Sequence, residues 1–352
     1  MSDSQGSLVP LLKWMNKVPG GAMLIPLVLG SILGTFAPAA LDIGSFTTAL
    51  FKDSAMPLIA LLIFATGTQV TLRTSGPVLA TTGVVLLGKS IIPGLLIIAL
   101  AMVTGPEGVL GISIMAMLAA ATNANGGLWL ALTGQYGRTK DRGAYIAGAI
   151  NDGPFFALLF IGASGLGQIP FLTLVAAIIP FLLGVLVGNL DSQWRELLTP
   201  VPAIVIPFFA FALGTGINLA DVARGGLSGV LLGVAITLVT GGLVYLGYRF
   251  LLRRGKESGI GFAAGTASGN AVATPAIIAA ADPSFLSYAG TATTQVAASV
   301  LVTALLAPLV TTWVLRRAGA APAEAERAEI AEQHKADSGS ATDGPDQEET
   351  RS

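Results

Sequence analysis

The sequence predicts an all-α membrane protein of about ten transmembrane helices, built as two inverted five-helix repeats whose fourth and ninth helices are broken. Three observations predict it: apolar runs long enough to cross a bilayer, a sorting of basic residues between alternate loops, and matched segments in the two halves.

Of the 352 residues, 53% are hydrophobic and only 11% charged, whereas soluble domains carry roughly 25% charged residues. Mean hydropathy is +0.75. The charges are also unevenly placed. Nine of the twenty acids and the single histidine, His334, follow Ala318 in an Ala/Glu/Asp/Ser-rich tail with no apolar run; a segment of that composition is predicted to be disordered. A membrane helix needs about 20 apolar residues, and breaks at charges or Gly/Pro/Asn clusters give spans near 22–40, 50–70, 77–103, 109–132, 143–164, 170–188, 198–217, 226–248, 258–281 and 287–315. The resulting organisation is a cytoplasmic segment at 1–21, one repeat at 22–165, a second at 166–317 and the tail at 318–352.

Loop charge tests the count. One side of the ten spans collects Lys13, Lys17, Arg73, Arg138, Lys140, Arg142, Arg195, Arg249, Arg253, Arg254, Lys256, Arg316 and Arg317, and the other only Lys52 and Arg224. Basic residues favour cytoplasmic loops, so both termini are expected in the cytoplasm. A signal-peptide reading of the first apolar run, with Ala37-Pro38-Ala39 as cleavage site, conflicts with the repeat, which needs this segment retained.

The repeat shows in four matches in the same order. Ile25-Pro26-Leu27-Val28-Leu29-Gly30 pairs with Ile179-Pro180-Phe181-Leu182-Leu183-Gly184, and Met56-Pro57-Leu58-Ile59-Ala60 with Ile206-Pro207-Phe208-Phe209-Ala210. Gly111-Ile112 pairs with Gly259-Ile260, and Tyr145 with Tyr288; the offset drifts from 154 to 143 residues. Five spans per half is odd, so the halves lie inverted, an arrangement that places a site where they meet near the midplane.

Span four carries Ala121-Thr122-Asn123-Ala124-Asn125-Gly126-Gly127 at its centre, and span nine carries Gly265-Thr266-Ala267-Ser268-Gly269-Asn270-Ala271-Val272-Ala273-Thr274-Pro275. Paired glycines, amides and a proline disfavour continuous helix. Unwound backbone inside a bilayer is tolerated only when buried in protein or lining a cavity. Asn123, Asn125, Gly126, Gly127, Ser268, Gly269, Asn270 and Thr274 are therefore the candidate substrate-binding residues; close helix packing by small residues is the competing explanation. Two charges fall in the middle of spans, Lys89 in the third and Asp152 in the fifth, while Asp53 near the start of the second is expected to be interfacial. A charge at the bilayer centre costs about 2.5–3.5 kcal/mol on insertion scales, so both should face the interior. Asp152 is the candidate proton carrier and Lys89 either an attractor of an anion or a substitute for a bound cation; a structural salt bridge between them is the other reading. Gln69 and Thr215, near the ends of spans two and seven, and Gln295, the register counterpart of Asp152, are candidates for lining the path, although polar residues at such ends also serve simply as helix terminators.

Enzymatic chemistry has few tools here. There is no cysteine and no histidine within a span, which removes thiolate nucleophiles, disulfides and the common metal ligands. No metal or cofactor is expected. A channel would not require two matched broken helices.

Val18-Pro19-Gly20-Gly21-Ala22-Met23-Leu24-Ile25-Pro26-Leu27, Asn125-Gly126-Gly127-Leu128, Gly188-Asn189-Leu190-Asp191, Ile206-Pro207-Phe208-Phe209-Ala210-Phe211-Ala212-Leu213-Gly214 and Ala271-Val272-Ala273-Thr274-Pro275 together resemble the bacterial 2-keto-3-deoxygluconate permease family over about residues 15–315. The resemblance implies proton-coupled uptake of 2-keto-3-deoxygluconate, a sugar-acid monoanion. It also implies a distant likeness to the ten-span fold of bile-acid/sodium symporters, in which broken spans four and nine cross. Expected partners are a small anionic sugar acid and the lipid bilayer, not nucleic acid. Sodium-coupled carriage of another organic anion is the alternative. In sodium-coupled relatives of that fold, cations bind around the crossing, and the Lys89 ammonium is expected to replace one of them.

Overall fold

The structure is a computed structural model that describes residues 10–15, 21–71, 76–216 and 219–320. The predicted tail from residue 321 onward, and Ile217 and Asn218 at the end of the seventh predicted span, lie outside the described residues. What is described is helical apart from turns and one isolated bridge between Val109 and Ile112.

The first half runs α1 (Gly21–Phe36), α2 (Ser45–Phe51), α3 (Ala55–Thr68) and α4 (Gly76–Thr104). It continues through α5 (Ile114–Ala121), α6 (Gly126–Tyr136), α7 (Tyr145–Ile150) and α8 (Phe155–Ser164). The second half holds α9 (Phe171–Leu190), α10 (Ser192–Leu198), α11 (Val201–Thr215) and α12 (Leu219–Leu246). Two 3-10 segments follow, Gly255–Ala264 and Gly269–Ala273, then α13 (Thr274–Ala281) and α14 (Leu286–Arg317).

Four helices of the described residues are singly long and apolar enough to cross a membrane: α4, α9, the stretch Gly225–Leu251 within and beyond α12, and Pro283–Arg317 containing α14. Three bent pairs pass the same test together: α2 with α3 at 58°, Lys140–Ile150 with α8 at 56°, and α10 with α11 at 45°. The fifth predicted span, read as one continuous helix over 143–164, is thus two helices. Asn151-Asp152-Gly153-Pro154 is the reason: Gly153 takes φ +157°, and Pro154 has no amide hydrogen for the preceding turn.

The two broken segments have local causes. After α5, residues 122–125 leave the helix, and the Asn125 carboxamide oxygen accepts from Leu128 N at 3.0 Å to cap α6; Asn is a strong N-cap because its side chain satisfies an otherwise unpaired amide. In the second half Gly265–Ser268 separate two tight 3-10 segments, and Pro275 sits in the first turn of α13, where its missing N–H costs nothing.

Packing divides the helices into two groups. In one, α1 packs on α11 and α3 packs on both α9 and α11. In the other, α12 and α14 pack along each other, hold the Gly255–Ala264 segment between them and both pack on α5, while α13 packs on α14 and α5. The first group is joined by reciprocal close crossings. A Cβ on Gly30 would lie 2.2 Å from the Phe211 carbonyl oxygen, and one on Gly214 2.1 Å from that of Leu27. At the equivalent crossing, a Cβ on Gly67 would lie 2.4 Å from Phe181 O and one on Gly184 2.1 Å from Phe64 O. Backbones approach that closely only where no side chain intervenes, the rule for helices packing in lipid.

Candidate functional site

The two interruptions meet. Asn125 N donates to Thr266 Oγ1 at 3.0 Å, a direct bond between the break after α5 and the break before α13. Around this contact the other freed backbone groups find side-chain partners, as the exclusion of water requires. Ala124 N donates to Asn151 Oδ1 at 3.3 Å, and Ala267 N donates to Thr303 Oγ1 at 3.0 Å. Asn151 Nδ2 donates to Ser90 Oγ at 3.1 Å, and Ser90 in turn donates to Thr122 O at 3.2 Å. Asn151 thereby pins the first break to α4. Asn151 is not among the residues singled out from the sequence; its place at the head of Asn-Asp-Gly-Pro is the signal that marks it.

Lys89 lies on a π-helical turn, Leu87–Ile91, and is fully buried. Its ammonium donates to Ala120 O at 3.2 Å and reaches Thr240 Oγ1 at 3.5 Å. Ala120 is in the last turn of α5, where unpaired carbonyls concentrate partial negative charge. A cation here complements the end of a broken helix. A salt bridge between Lys89 and Asp152 is absent among the described residues.

Asp152 has other partners. Its Oδ1 accepts from Ser268 Oγ at 3.3 Å and from the Asn270 carboxamide nitrogen; the Ser268 hydroxyl also bonds the Asn270 oxygen. The Thr66 hydroxyl of α3 donates to Leu62 O at 2.9 Å and lies near the same carboxylate, and a Cβ on the adjoining Gly153 would lie 3.3 Å from Ile63 Cδ1 of α3. The acid therefore bonds the second break and lies beside a helix of the other packing group.

The predicted residues separate into two layers. Asn125, Gly126, Gly127, Asp152, Ser268 and Gly269 retain accessible surface, whereas Lys89, Asn123, Asn270 and Thr274 are buried. Among the described residues the Asn123 amide oxygen and nitrogen find no partner, and each such buried group costs about 1–3 kcal/mol while unpaired. The three residues proposed to line a path are bonded elsewhere. Gln69 Nε2 donates to Arg195 O at 3.0 Å, tying α3 to α10; Thr215 Oγ1 donates to Ala212 O within α11; Gln295 Nε2 donates to Gly111 O at 2.6 Å and Ser228 Oγ at 2.9 Å. None of the three bonds a crossover residue, and Gln295, despite its register with Asp152, has no comparable place.

Among the described residues no cluster of His, Cys, Asp or Glu fits a metal ion. Sheltered amides and a carboxylate between apolar helices suit a protein that strips water from a polar solute and passes it through lipid; the chain is a multi-span membrane permease and not an enzyme. It belongs to the 2-keto-3-deoxygluconate permease family, which it matches over residues 12–320. It is 43% identical over 305 residues to 2-keto-3-deoxygluconate permease 1 of Salmonella typhimurium, covering 87% of this chain and 95% of the relative. To 2-keto-3-deoxygluconate permease of Bacillus subtilis it is 39% identical over 306 residues, covering 85% and 92%. To the permease of that name from Escherichia coli O139:H28 it is 35% identical over 318 residues, covering 89% and 96%. No solved structure matches the chain.

Proposed function

We propose that this permease takes up 2-keto-3-deoxygluconate, or a close sugar acid, together with a proton across a bacterial inner membrane. The observation that carries the reading is the Asp152 carboxylate, partly accessible, held by Ser268 and Asn270 and flanked by Thr66 of the other packing group. An ionised Asp152 can only accept hydrogen bonds, as its Oδ1 does from Ser268 and Asn270; protonation converts one oxygen to a donor and changes the grip on its neighbours. Proton binding and the relative position of the two helix groups are coupled through that one residue. The free amides at the start of α6, at Gly126 and Gly127, receive the substrate carboxylate, since a helix N-terminus favours an anion. Ser268, Gly269 and Asn270 face it from the other break, with Asn123 and Thr274 behind.

The reading takes the chain as ten spans in two inverted repeats, 22–165 and 166–317, with both termini cytoplasmic. It is supported by the reciprocal Gly30/Gly214 and Gly67/Gly184 crossings, by the two apposed breaks, and by the thirteen-to-two partition of basic residues. Lys89 acts as a tethered cation at the α5 terminus, so that no free metal ion is needed there. The test is uptake of labelled 2-keto-3-deoxygluconate by a permease-deficient strain, with and without an uncoupler. Wild type accumulates the substrate and loses accumulation on uncoupling; Asp152→Asn retains exchange but not accumulation. Uptake that resists the uncoupler and requires sodium refutes proton coupling.

A further inference from the structure

We infer that Tyr145, which opens α7, is a substrate-contacting residue whose hydroxyl bonds a hydroxyl of the sugar-acid chain while its ring packs against the carbon chain. The inference rests on the substrate reading above and adds a residue to that site. Tyr145 lies against the start of α6, where the first break ends. A Cβ placed on Gly126 would lie 2.6 Å from the Tyr145 Cε2 atom, so the ring lies flush on the first residue of α6. Gly148, one turn along α7, would bring its own Cβ to 3.7 Å from the Gly126 Cα. Two glycines thus fix the ring in place at the helix end proposed to receive the carboxylate.

The phenol is otherwise unused. Among the described residues no hydrogen bond is made by its hydroxyl, and the side chain keeps accessible surface. It lies within electrostatic reach of Asp152. The remaining accessible groups, Asn125, Gly126, Gly127, Ser268 and Gly269, are small; they offer hydrogen bonds and no apolar wall. A six-carbon polyhydroxy acid presents C–H faces as well as hydroxyls. An aromatic ring with a polar tip meets both needs with few rotatable bonds.

The experiment compares wild type and Tyr145→Phe in proteoliposomes for 2-keto-3-deoxygluconate uptake, with 3-fluorotyrosine at position 145 as a second probe read by fluorine NMR. Loss of one substrate hydrogen bond is expected to raise KM about tenfold with maximal rate and uncoupler sensitivity retained. A structural role would instead reduce the amount of active carrier and leave KM unmoved. The fluorine resonance should shift on substrate addition. An unchanged KM in Tyr145→Phe, or a silent resonance in a preparation that transports, overturns the inference. Wild-type vesicles that fail to take up the sugar acid overturn the functional reading itself, a distinct result.

Discussion

Lys89 and Asp152 carry opposite charges in the third and fifth predicted spans, yet the fold gives each its own partners. The ammonium lies on Ala120 O and Thr240 Oγ1; the carboxylate faces Ser268, Asn270 and Thr66. A removal of charge should therefore act differently at the two positions. Lys89→Met keeps the length of the side chain and relieves a buried cation that has no carboxylate partner. It is expected to leave the melting temperature in detergent unchanged or higher while uptake falls about tenfold or more, the scale of one lost charge-assisted bond. Wild-type uptake by Lys89→Met would show that the ammonium serves packing alone. The two charged positions were legible because lysine and aspartate within apolar runs are conspicuous. Their partners were not, since a backbone carbonyl such as that of Ala120 leaves no mark in the sequence.

At the scale of elements, the interruptions after α5 and before α13 were readable because Asn/Gly clusters and Pro275 break helices by their own chemistry. The third interruption, at residues 151–154, carried an equally strong turn signal. That signal is the Asn-Asp-Gly-Pro pattern around Asp152, which interrupts an otherwise apolar run. The glycines of the crossings are a different case. Gly30, Gly67, Gly184 and Gly214 look like ordinary small residues in apolar runs; only the fold reveals carbonyl oxygens where their side chains would be. Gly214→Ala places a methyl against Leu27 O, and either α1 or α11 must move. A loss of about 1–3 kcal/mol is expected for such overpacking, visible as a lower melting temperature, whereas Gly226→Ala, whose added Cβ meets nothing within 4 Å, should melt as wild type does. Equal melting of the two variants would contradict the crossing geometry.

Across the whole molecule, the two packing groups meet near Asp152, and the proposed transport cycle requires them to move against each other. Because the chain has no cysteine, Gln168→Cys before α9 and Ser284→Cys between α13 and α14, exposed positions whose backbone amides both bond Asp282 away from the crossover, introduce the only thiols. A short bis-maleimide joining them is expected to abolish uptake while leaving substrate-induced stabilisation measurable, and either single-cysteine variant should keep its uptake after the same treatment. Undiminished transport by the joined protein would rule out relative movement at this seam. The cytoplasmic ends proposed from loop charge are tied within one group: Arg254 pairs with Asp141, both side chains nearly inaccessible at 4% and 3%, stacks 4.2 Å over the Tyr248 ring and donates to Thr81 Oγ1 at 2.6 Å. That network joins α4, the short Thr139–Gly143 helix and the Gly247–Leu251 turn that follows α12, and favours their movement as one body.

The sequence by itself determined that the chain lives in a membrane, that its helices break at Asn/Gly-rich centres, and which family it resembles. Hydropathy, helix-breaking chemistry and residue motifs are local properties written in consecutive positions. Only the tertiary structure decided that Asn125 bonds Thr266, that Lys89 caps α5 instead of pairing with Asp152, and that Gln69, Thr215 and Gln295 are engaged in ties between or within helices. Those outcomes depend on which distant groups come within about 3 Å of one another, and spacing along the chain carries no record of that distance.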